Sequence, residues 1–256
     1  MLGDSLSDTG AVFAVTHGAV PASPYYAGRF SNGPVWPEYL GSALSIPVQN
    51  FAYGGAQTSS ANLFDGLDFP GLSDEVALVT GQSAVLDPDA IYVVWAGAND
   101  FRAALAKGQT PDIAGMVNNI LNAVGALYFA GAQHVVVPNL PDLGVTPEGR
   151  ASGSGPIVTF LSETFNEHLE AALVANVPAA IRLDIFRLMQ QTINDPSEYG
   201  FTNVTTPCLT PAGVCADASG YLFWDHVHPT TRGHALLAES FAKAINQAVL
   251  RRHNNR

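Results

Sequence analysis

Three residues far apart in the chain carry the groups of a serine nucleophile and its base. Ser5 lies in a turn-like stretch, residues 3–10. A serine hydroxyl becomes a good nucleophile when a base takes its proton, and that base is usually an imidazole oriented by a carboxylate. Asp225 and His228 supply both groups just before Pro229, which with the threonines after it predicts a helix start. We therefore expect these three residues to perform acyl transfer.

His226 is the alternative base in the same stretch. It follows Asp225 directly, and adjacent side chains are less suited to facing one point, so the spacing favours His228. A metal site built from these residues and His234 lacks the ligand spacing of known zinc sites, and we expect no metal. The chain also has no Gly-x-Ser-x-Gly and no Gly-x-x-x-x-Gly-Lys motif, so no cofactor is implied.

Four separated motifs resemble the GDSL, or SGNH, family of ester hydrolases and occur in that family's order. They are Gly-Asp-Ser-Leu at residues 3–6, Asn-x-Ala-x-x-Gly-Ala at 50–56, Gly-Ala-Asn-Asp at 97–100 and Asp-x-x-His-Pro at 225–229. Residues 28–34 and 223–230 look most like its secreted bacterial esterase and phospholipase branch. The resemblance implies a carboxylic ester hydrolase with an acyl-serine intermediate, and it selects His228 over His226.

The resemblance also implies where the donors to an oxyanion lie. They are the backbone N–H groups of Ser5 and Gly55 and the side-chain amide of Asn99, with Gly54 as the nearby alternative to Gly55. A side-chain amide at this position can stabilise a transition state by about 3 to 4 kcal/mol. Taken alone, the glycine pair is typical of a strand-to-helix turn, and an asparagine after a strand is usually structural.

Strands that alternate with helices must position these residues. We predict strands at 46–52, 90–95, 134–138 and 181–185 and helices at 9–15, 37–44, 73–86, 113–129, 157–174, 186–191 and 232–250, with residues 140–156 as a loop. This pattern predicts an α/β fold, a parallel sheet in a three-layer α/β/α arrangement, in one domain over residues 1–256. The resemblance implies the flavodoxin-like strand order 2-1-3-4-5.

The first strand of this fold is expected to be truncated. A Gly-Asp-Ser turn normally follows a buried strand, and only Met1 and Leu2 precede Gly3. We therefore expect the Ser5 hydroxyl to be held from one side only. We also expect no signal peptide before Gly3.

A long irregular segment, residues 17–37, is rich in aromatic side chains. Long ordered loops of this kind are often functional. Its aromatic residues either line the mouth of an acyl-binding groove or cover the core, and both interpretations remain open. The residues concerned are Tyr25, Tyr26, Phe30 and Trp36.

Composition limits the partners of the chain. The 256 residues carry a formal net charge of -11, which disfavours nucleic acid and anionic membrane surfaces. No apolar run is long enough to span a bilayer, so we expect no stable membrane insertion. The basic cluster of Arg251, Arg252 and Arg256 is interpreted as a solvated tail.

The two cysteines, Cys208 and Cys215, lie in a loop-like stretch with Pro211 and Gly213. An even number of cysteines in such a stretch indicates a local disulfide and a secreted or periplasmic protein. Two free thiols are the alternative, and a zinc site lacks further ligands.

Two classes of function follow. The first is an esterase or lipase acting on small-molecule or lipid esters, with phospholipase and glycan acetylesterase activities as neighbouring possibilities. The second is a catalytically weak binding or passenger module that keeps the fold. Retention of Ser5, Asn99, Asp225 and His228 favours the enzyme.

Overall fold

A four-stranded parallel sheet forms the centre of the molecule. The computed structural model describes residues 1–64, 66–82 and 85–254, without the side chains of residues 251–254. The strands β1 to β4 lie in the order β1-β2-β3-β4 and comprise Leu2–Gly3, Ile91–Trp95, His134–Pro138 and Ile181–Leu183. Residues 83–84 of the helix predicted at 73–86, the side chains of Arg251 and Arg252 and the whole of Arg256 lie outside the described part.

The predicted strand at 46–52 does not form as a regular strand, but its end runs along the free edge of β1. The Phe51 N–H donates to the Met1 carbonyl at 2.9 Å, and the Tyr53 N–H donates to the Gly3 carbonyl at 3.0 Å. Pro47 has no N–H, and β1 is only two residues long, so little ladder can form. The segment nevertheless occupies the place that the order 2-1-3-4-5 gives to its second strand. β1 therefore has neighbours on both edges, and the Ser5 hydroxyl itself contacts His228.

Nine α-helices surround the sheet in the described part of the chain. They are α1 Ala11–Val15, α2 Trp36–Leu44, α3 Leu72–Gly81, α4 Ala98–Ala106, α5 Ile113–Phe129, α6 Pro147–Ala151, α7 Gly155–Asn176, α8 Ile185–Asn194 and α9 Thr231–Asn254. The prediction of α5 and β3 was correct to the residue. No helix was predicted where α4 forms, directly after Gly97, and α6 forms within the predicted loop at 140–156.

The two faces of the sheet are covered by different helices, as alternation along buried strands requires. Val94 and Val135 pack with α3, α5 and α7 in one apolar cluster. Val93 and Val136 pack on the other face with α2 and α9. The predicted three-layer α/β/α fold is therefore confirmed.

Helices α2 and α9 are locked together over the second face of the sheet. The rings of Trp36 and Phe241 stack with centroids 4.0 Å apart, and Trp95 contacts both. Trp36 is fully buried. This packing fixes the start of α9, and the loop that ends there carries Asp225 and His228.

A small hairpin, β5 Leu209–Thr210 and β6 Gly213–Val214, precedes that loop. Its ends are joined by a disulfide between Cys208 and Cys215, as predicted. The Cys208 N–H donates to the Phe223 carbonyl at 3.1 Å, so the hairpin is attached to the chain that leads into residues 225–228.

Candidate active site

Ser5 lies at the carboxyl end of β1, in a turn closed by two backbone hydrogen bonds. The N–H groups of Ser7 and Asp8 both donate to the Asp4 carbonyl, at 2.9 and 3.0 Å. Ligands of parallel α/β sheets bind beyond this edge. Gly3 has a φ of 145°, which favours glycine, and a side chain there would collide with the backbone of Trp95. The sequence Gly-Asp-Ser therefore suits a turn made directly against β2.

The structure brings Ser5, His228 and Asp225 into one hydrogen-bonded row. Nε2 of His228 lies 2.8 Å from Ser5 Oγ, and its Nδ1 lies 2.7 Å from Asp225 Oδ2. Asp225 Oδ1 accepts the backbone N–H groups of Val227 and His228, at 2.8 and 2.7 Å. The same carboxylate thus shapes the loop and orients the imidazole. His226, the alternative base, is exposed, and its carbonyl accepts a hydrogen bond from α6.

Asp225 is held as an anion. Burial alone would raise its pKa, but the charge of His228 and the hydrogen bonds from His228 and Tyr25 hold the pKa well below the usual range. An ionised carboxylate can keep Nδ1 of His228 protonated and stabilise the imidazolium that forms when Nε2 accepts a proton.

Tyr25 is a contact of this row that the sequence did not reveal. Its hydroxyl donates to Asp225 Oδ2 at 2.7 Å, the oxygen that also faces His228. The contact spans 200 residues, and no spacing signal could have found it. Of the two interpretations left open for the aromatic residues of the segment 17–37, Trp36 follows the second, because it is buried in the core. Phe30 borders a cleft at Ser5, and Tyr26 is exposed.

Residues 30–32 hold the loop that carries His228. The ring of Phe30 lies 5.3 Å from the imidazole. The Ser31 hydroxyl donates to the Pro229 carbonyl at 2.9 Å, and Asn32 Oδ1 accepts the Thr231 N–H at 2.8 Å. The Gly-Arg-Phe-Ser-Asn-Gly-Pro motif therefore positions the imidazole from the opposite end of the chain.

The groups predicted to meet an oxyanion border the same cleft as Ser5. Asn99, in the first turn of α4, donates one amide N–H to the Ala56 carbonyl at 2.9 Å, which fixes the amide and leaves its second N–H. The Gly54 N–H donates to Asp8 Oδ2 at 2.9 Å and is occupied. Within residues 1–64, 66–82 and 85–254, no acceptor pairs with the N–H of Ser5 or Gly55.

Buried carboxylates tie these loops together. Glu75 of α3 accepts the N–H groups of Gly3 at 2.7 Å and Tyr53 at 3.1 Å, and burial raises its pKa well above the ordinary value. Burial also raises the pKa of Asp4 and of Asp100 to about 6. The nucleophile turn, the glycine loop and the start of α4 therefore depend on carboxyl groups that the sequence analysis did not single out.

Two cavities meet at Ser5. A cleft of about 330 Å³ is bordered by Phe30, Phe64 and Arg102 together with the groups just described. Arg102 is half exposed and pairs in a bidentate manner with Glu148 at 3.0 Å, so its charge is balanced at the rim. A narrower cavity of about 70 Å³ lies between Ser5 and helices α8 and α9. The larger groove between α7, β4 and α9 does not include these residues.

Residues 1–241 match the family described as GDSL-like lipase/acylhydrolase. The chain belongs to this family. It is accordingly a carboxylic ester hydrolase, and GDSL-family hydrolases act on small-molecule or lipid esters. Among the helices described, none has the length and apolar character needed to cross a bilayer.

Named relatives of this GDSL hydrolase include enzymes and a hemolysin. The phosphatidylcholine-sterol acyltransferase of Aeromonas hydrophila is 27% identical, over 96% of this chain and 89% of the relative. The thermolabile hemolysin of Vibrio parahaemolyticus is 28% identical over 96% of this chain, and Esterase EstA of Pseudomonas aeruginosa is 29% identical over 93%. The chain spans 63% of the hemolysin and 45% of EstA, less than two thirds of either.

Solved structures share the fold. A lipolytic G-D-S-L family protein from Veillonella parvula superimposes with a TM-score of 0.54 at 15% identity, covering 94% of both chains. The acetylxylan esterase Axe2 of Geobacillus stearothermophilus gives a TM-score of 0.50 at 17% identity, covering 95% of this chain and 91% of its own. At these identities the likeness concerns the three-layer fold alone.

Proposed function

We propose that the chain hydrolyses carboxylic esters through an acyl-serine intermediate, with Ser5 as nucleophile, His228 as base and Asp225 as the carboxylate that orients it. The observation that carries this proposal is the continuous row from Ser5 Oγ through both ring nitrogens of His228 to Asp225, with distances of 2.8 and 2.7 Å. Nucleophile, base and orienting group within hydrogen-bond reach are the signature of an activated serine.

The reaction divides into two acyl transfers. His228 Nε2 takes the Ser5 proton as Oγ attacks the carbonyl carbon, and the tetrahedral intermediate collapses with loss of the alcohol. The imidazolium gives its proton to that alcohol. Water then attacks the acyl-serine with His228 again as base, and the carboxylic acid leaves as Ser5 regains its proton.

The oxyanion of each intermediate is assigned to the N–H groups of Ser5 and Gly55 and the free amide N–H of Asn99. Two of these donors belong to the backbone, and the third is fixed by its bond to Ala56, so little reorganisation is needed as charge develops. The backbone donor is assigned to Gly55 rather than Gly54, because the Gly54 N–H is already bonded to Asp8.

Among the activities considered, a simple esterase or lipase is the first candidate and a phospholipase the second. The second is favoured by the relative named phosphatidylcholine-sterol acyltransferase, whose name implies a phospholipid as acyl donor. The acetylxylan esterase bears on the fold alone and does not favour a glycan substrate. The intact hydrogen-bonded row argues against a catalytically weak binding module.

A secreted or periplasmic location is part of the proposal. A structural disulfide, Cys208 to Cys215, persists in oxidising compartments. One relative, 29% identical over 93% of the chain, is named as a secreted effector protein of Salmonella typhimurium.

Hydrolysis of p-nitrophenyl butyrate by matched variants tests the assignment. Ser5→Ala and His228→Ala should each lower kcat by a factor of about 10⁴ or more. His226→Ala is the control, since its exposed side chain should be replaceable with less than twofold effect. A fluorophosphonate probe should label Ser5 in the wild type and nothing in Ser5→Ala. Loss of activity in His226→Ala with retention in His228→Ala would overturn the assignment.

A separate substitution tests the oxyanion donors. Asn99→Ala removes the free amide N–H, and kcat should fall by about 10²–10³ while KM changes little, because the donor acts on charge that develops in the transition state. Steady-state kinetics on the same ester give both values. A rise in KM with unchanged kcat would place Asn99 in ground-state binding instead.

A further inference from the structure

The narrower of the two cavities at Ser5 has an apolar wall built by α8. Four residues of this helix, at positions i, i+3, i+4 and i+7, border it: Ile185, Leu188, Met189 and Thr192. Residues with this spacing share one helix face. Leu188 and Met189 on this face are half-buried, so their apolar side chains are not fully enclosed by the core. This face of α8 is therefore available to an apolar ligand.

The remaining walls come from well-buried parts of the fold. Leu222 and Phe223, just before the catalytic loop, are buried, as is Leu237 of α9. Trp95 at the end of β2 borders the cavity on the side of the sheet. These residues belong to apolar clusters that fix their positions, so the cavity is already formed without a ligand.

Apart from Asp4, Asn99 and His228, which lie around Ser5, the polar groups at the cavity wall are hydroxyls that are already hydrogen-bonded. Thr146 Oγ1 donates to the Leu143 carbonyl at 2.7 Å and accepts the Gly149 N–H at 3.0 Å. Thr192 Oγ1 donates to the Leu188 carbonyl at 2.8 Å. An ordered water needs two to four polar partners, and walls of this kind offer few. The cavity is therefore suited to hydrocarbon.

We propose that this cavity, bordered by α8, α9 and Ser5, binds the acyl chain of the substrate and selects short acyl groups, while the alcohol occupies the cleft of Phe30 and Phe64. The inference rests on the proposed function, because it requires Ser5 to be the acylated residue. The volume of this cavity is about 70 Å³. By comparison, an apolar cavity that binds benzene measures roughly 150 Å³. An acyl group of a few carbons fills the cavity at Ser5.

The order in which the two products leave indicates which cavity holds the acyl group and which holds the alcohol. The alcohol departs first, and water must then reach the acyl carbon while the acyl group stays attached to Ser5. The wider cleft, with half-exposed Arg102 at its rim, gives the alcohol an exit and water an entrance. The narrow apolar cavity suits the group that remains bound through both steps.

The test is a series of p-nitrophenyl esters from acetate to decanoate, with the alcohol held constant. Each methylene that enters the cavity should raise kcat/KM about fourfold, the equivalent of about 0.8 kcal/mol per buried CH₂. For the wild type, kcat/KM should peak at or below butyrate and fall for longer chains, which exceed the available volume.

Met189→Ala removes most of one side chain from the cavity wall. We expect the optimum to move by two to three carbons towards longer chains and the octanoate-to-acetate ratio of kcat/KM to rise at least tenfold. Leu188→Ala, on the same face, should cause a shift in the same direction, so the test stands if one variant does not fold. Phe129→Ala is the control, because that side chain is 96% exposed on α5 and should leave the profile unchanged.

A second series keeps the acyl group as butyrate and lengthens the alcohol from methyl to octyl. Here Met189→Ala should leave the profile as in the wild type, and Phe64→Ala in the cleft should alter it. If Met189→Ala instead shifts the alcohol profile, or if both α8 variants fold and keep the wild-type acyl profile, the inference is wrong. Failure of the fluorophosphonate probe to label Ser5 would overturn the proposed function itself, which separates the two outcomes.

Discussion

Tyr25 and His228 bind the same oxygen of Asp225. The phenol and the imidazole each lie 2.7 Å from Oδ2, while Oδ1 accepts two backbone N–H groups. Burial and the neighbouring Asp225 raise the pKa of Tyr25, so its hydroxyl keeps the proton that it donates. Tyr25 thus helps to fix the Asp225 carboxylate, which contacts His228, the proposed base.

Tyr25→Phe should lower kcat about tenfold or more and leave KM nearly unchanged. A hydrogen bond to a charged group contributes about 1.5 to 3 kcal/mol, and this one stabilises the orientation of Asp225 rather than contacting substrate. Kinetics with p-nitrophenyl butyrate measure the effect, and a thermal melt checks that the fold is kept. Tyr26→Phe, at an exposed neighbour, is the control. Equal kcat values for both variants would show that Tyr25 does not position the triad.

That Ser5, Asp225 and His228 lie together could be predicted from the sequence because each lies in a short local motif. Ser5 is recognisable from the turn around it, and Asp225 and His228 from their spacing before Pro229. Asn99 and Gly55 needed the family resemblance, since a glycine or an asparagine after a strand is usually structural. Tyr25 could not be predicted, because nothing near it in the sequence marks a contact with residue 225.

At the level of elements, the disulfide hairpin supports the catalytic loop. Besides the bond from Cys208, the Leu209 N–H donates to the Trp224 carbonyl at 2.7 Å, next to Asp225. The hairpin β5–β6 is therefore bonded to the two residues immediately before the loop, Phe223 and Trp224. Its own strands are two residues long, and the disulfide keeps them paired.

Replacing both Cys208 and Cys215 by serine should destabilise the protein by about 2 to 3 kcal/mol, the loop-closure entropy of so short a ring. For a chain of this size Tm should fall by roughly 4 to 10 °C. Thermal melts with and without reductant measure this, and reductant should lower the Tm of the wild type but not of the variant. A wild-type Tm that is insensitive to full reduction would mean that the hairpin is held by its hydrogen bonds alone.

Elements with a strong apolar period were predictable, and those decided by tertiary contacts were not. β3 and α5 follow directly from their apolar patterns. The segment at 46–52 has a strand-like composition, but its partner β1 offers only two residues for pairing. α4 begins at Ala98 within a turn signal, and the carboxylate of Asp100 on this helix holds Thr58 from another loop. A local sequence pattern does not reveal a contact between residues so far apart in the chain.

For the molecule as a whole, the pH dependence of stability is set by a group of buried acids near Ser5. Burial raises the pKa of Asp4, Asp8, Glu75 and Asp100, and all four support the loops around Ser5. The native state therefore binds protons more tightly than the unfolded chain at these sites. Burial acts in the opposite sense on the imidazole of His234, whose pKa it lowers to about 3. The single domain over residues 1–256 stays a prediction.

Asp100→Asn isolates one of these acids. Its pKa is about 6 in the folded protein, against 3.8 as the ordinary value. Stability from this group therefore increases as pH falls from about 6 to about 4, where the folded protein alone binds the proton. Relative to Asp100→Asn, the wild type should gain up to about 3 kcal/mol over that window. The contribution of His234 is common to both proteins and cancels.

Denaturant unfolding at several pH values measures that difference, and Asp89→Asn, at an exposed carboxylate, is the control. The control should follow the wild type at every pH. A stability difference between wild type and Asp100→Asn that is constant from pH 4 to 8 would contradict the raised pKa.

Ser5 and His228 are separated by 223 residues, and this distance has a consequence for biosynthesis. Ribosomes add about 5 to 20 residues per second, so roughly 10 to 45 seconds pass between translation of Ser5 and translation of His228. During that time the nascent chain carries Ser5 without its imidazole partner. Packing of α9 against α2 and the sheet holds the loop that carries His228, so the row from Ser5 to Asp225 forms only after α9 is made and folded. Activity that depends on this row therefore reports that the chain has been translated and folded through α9.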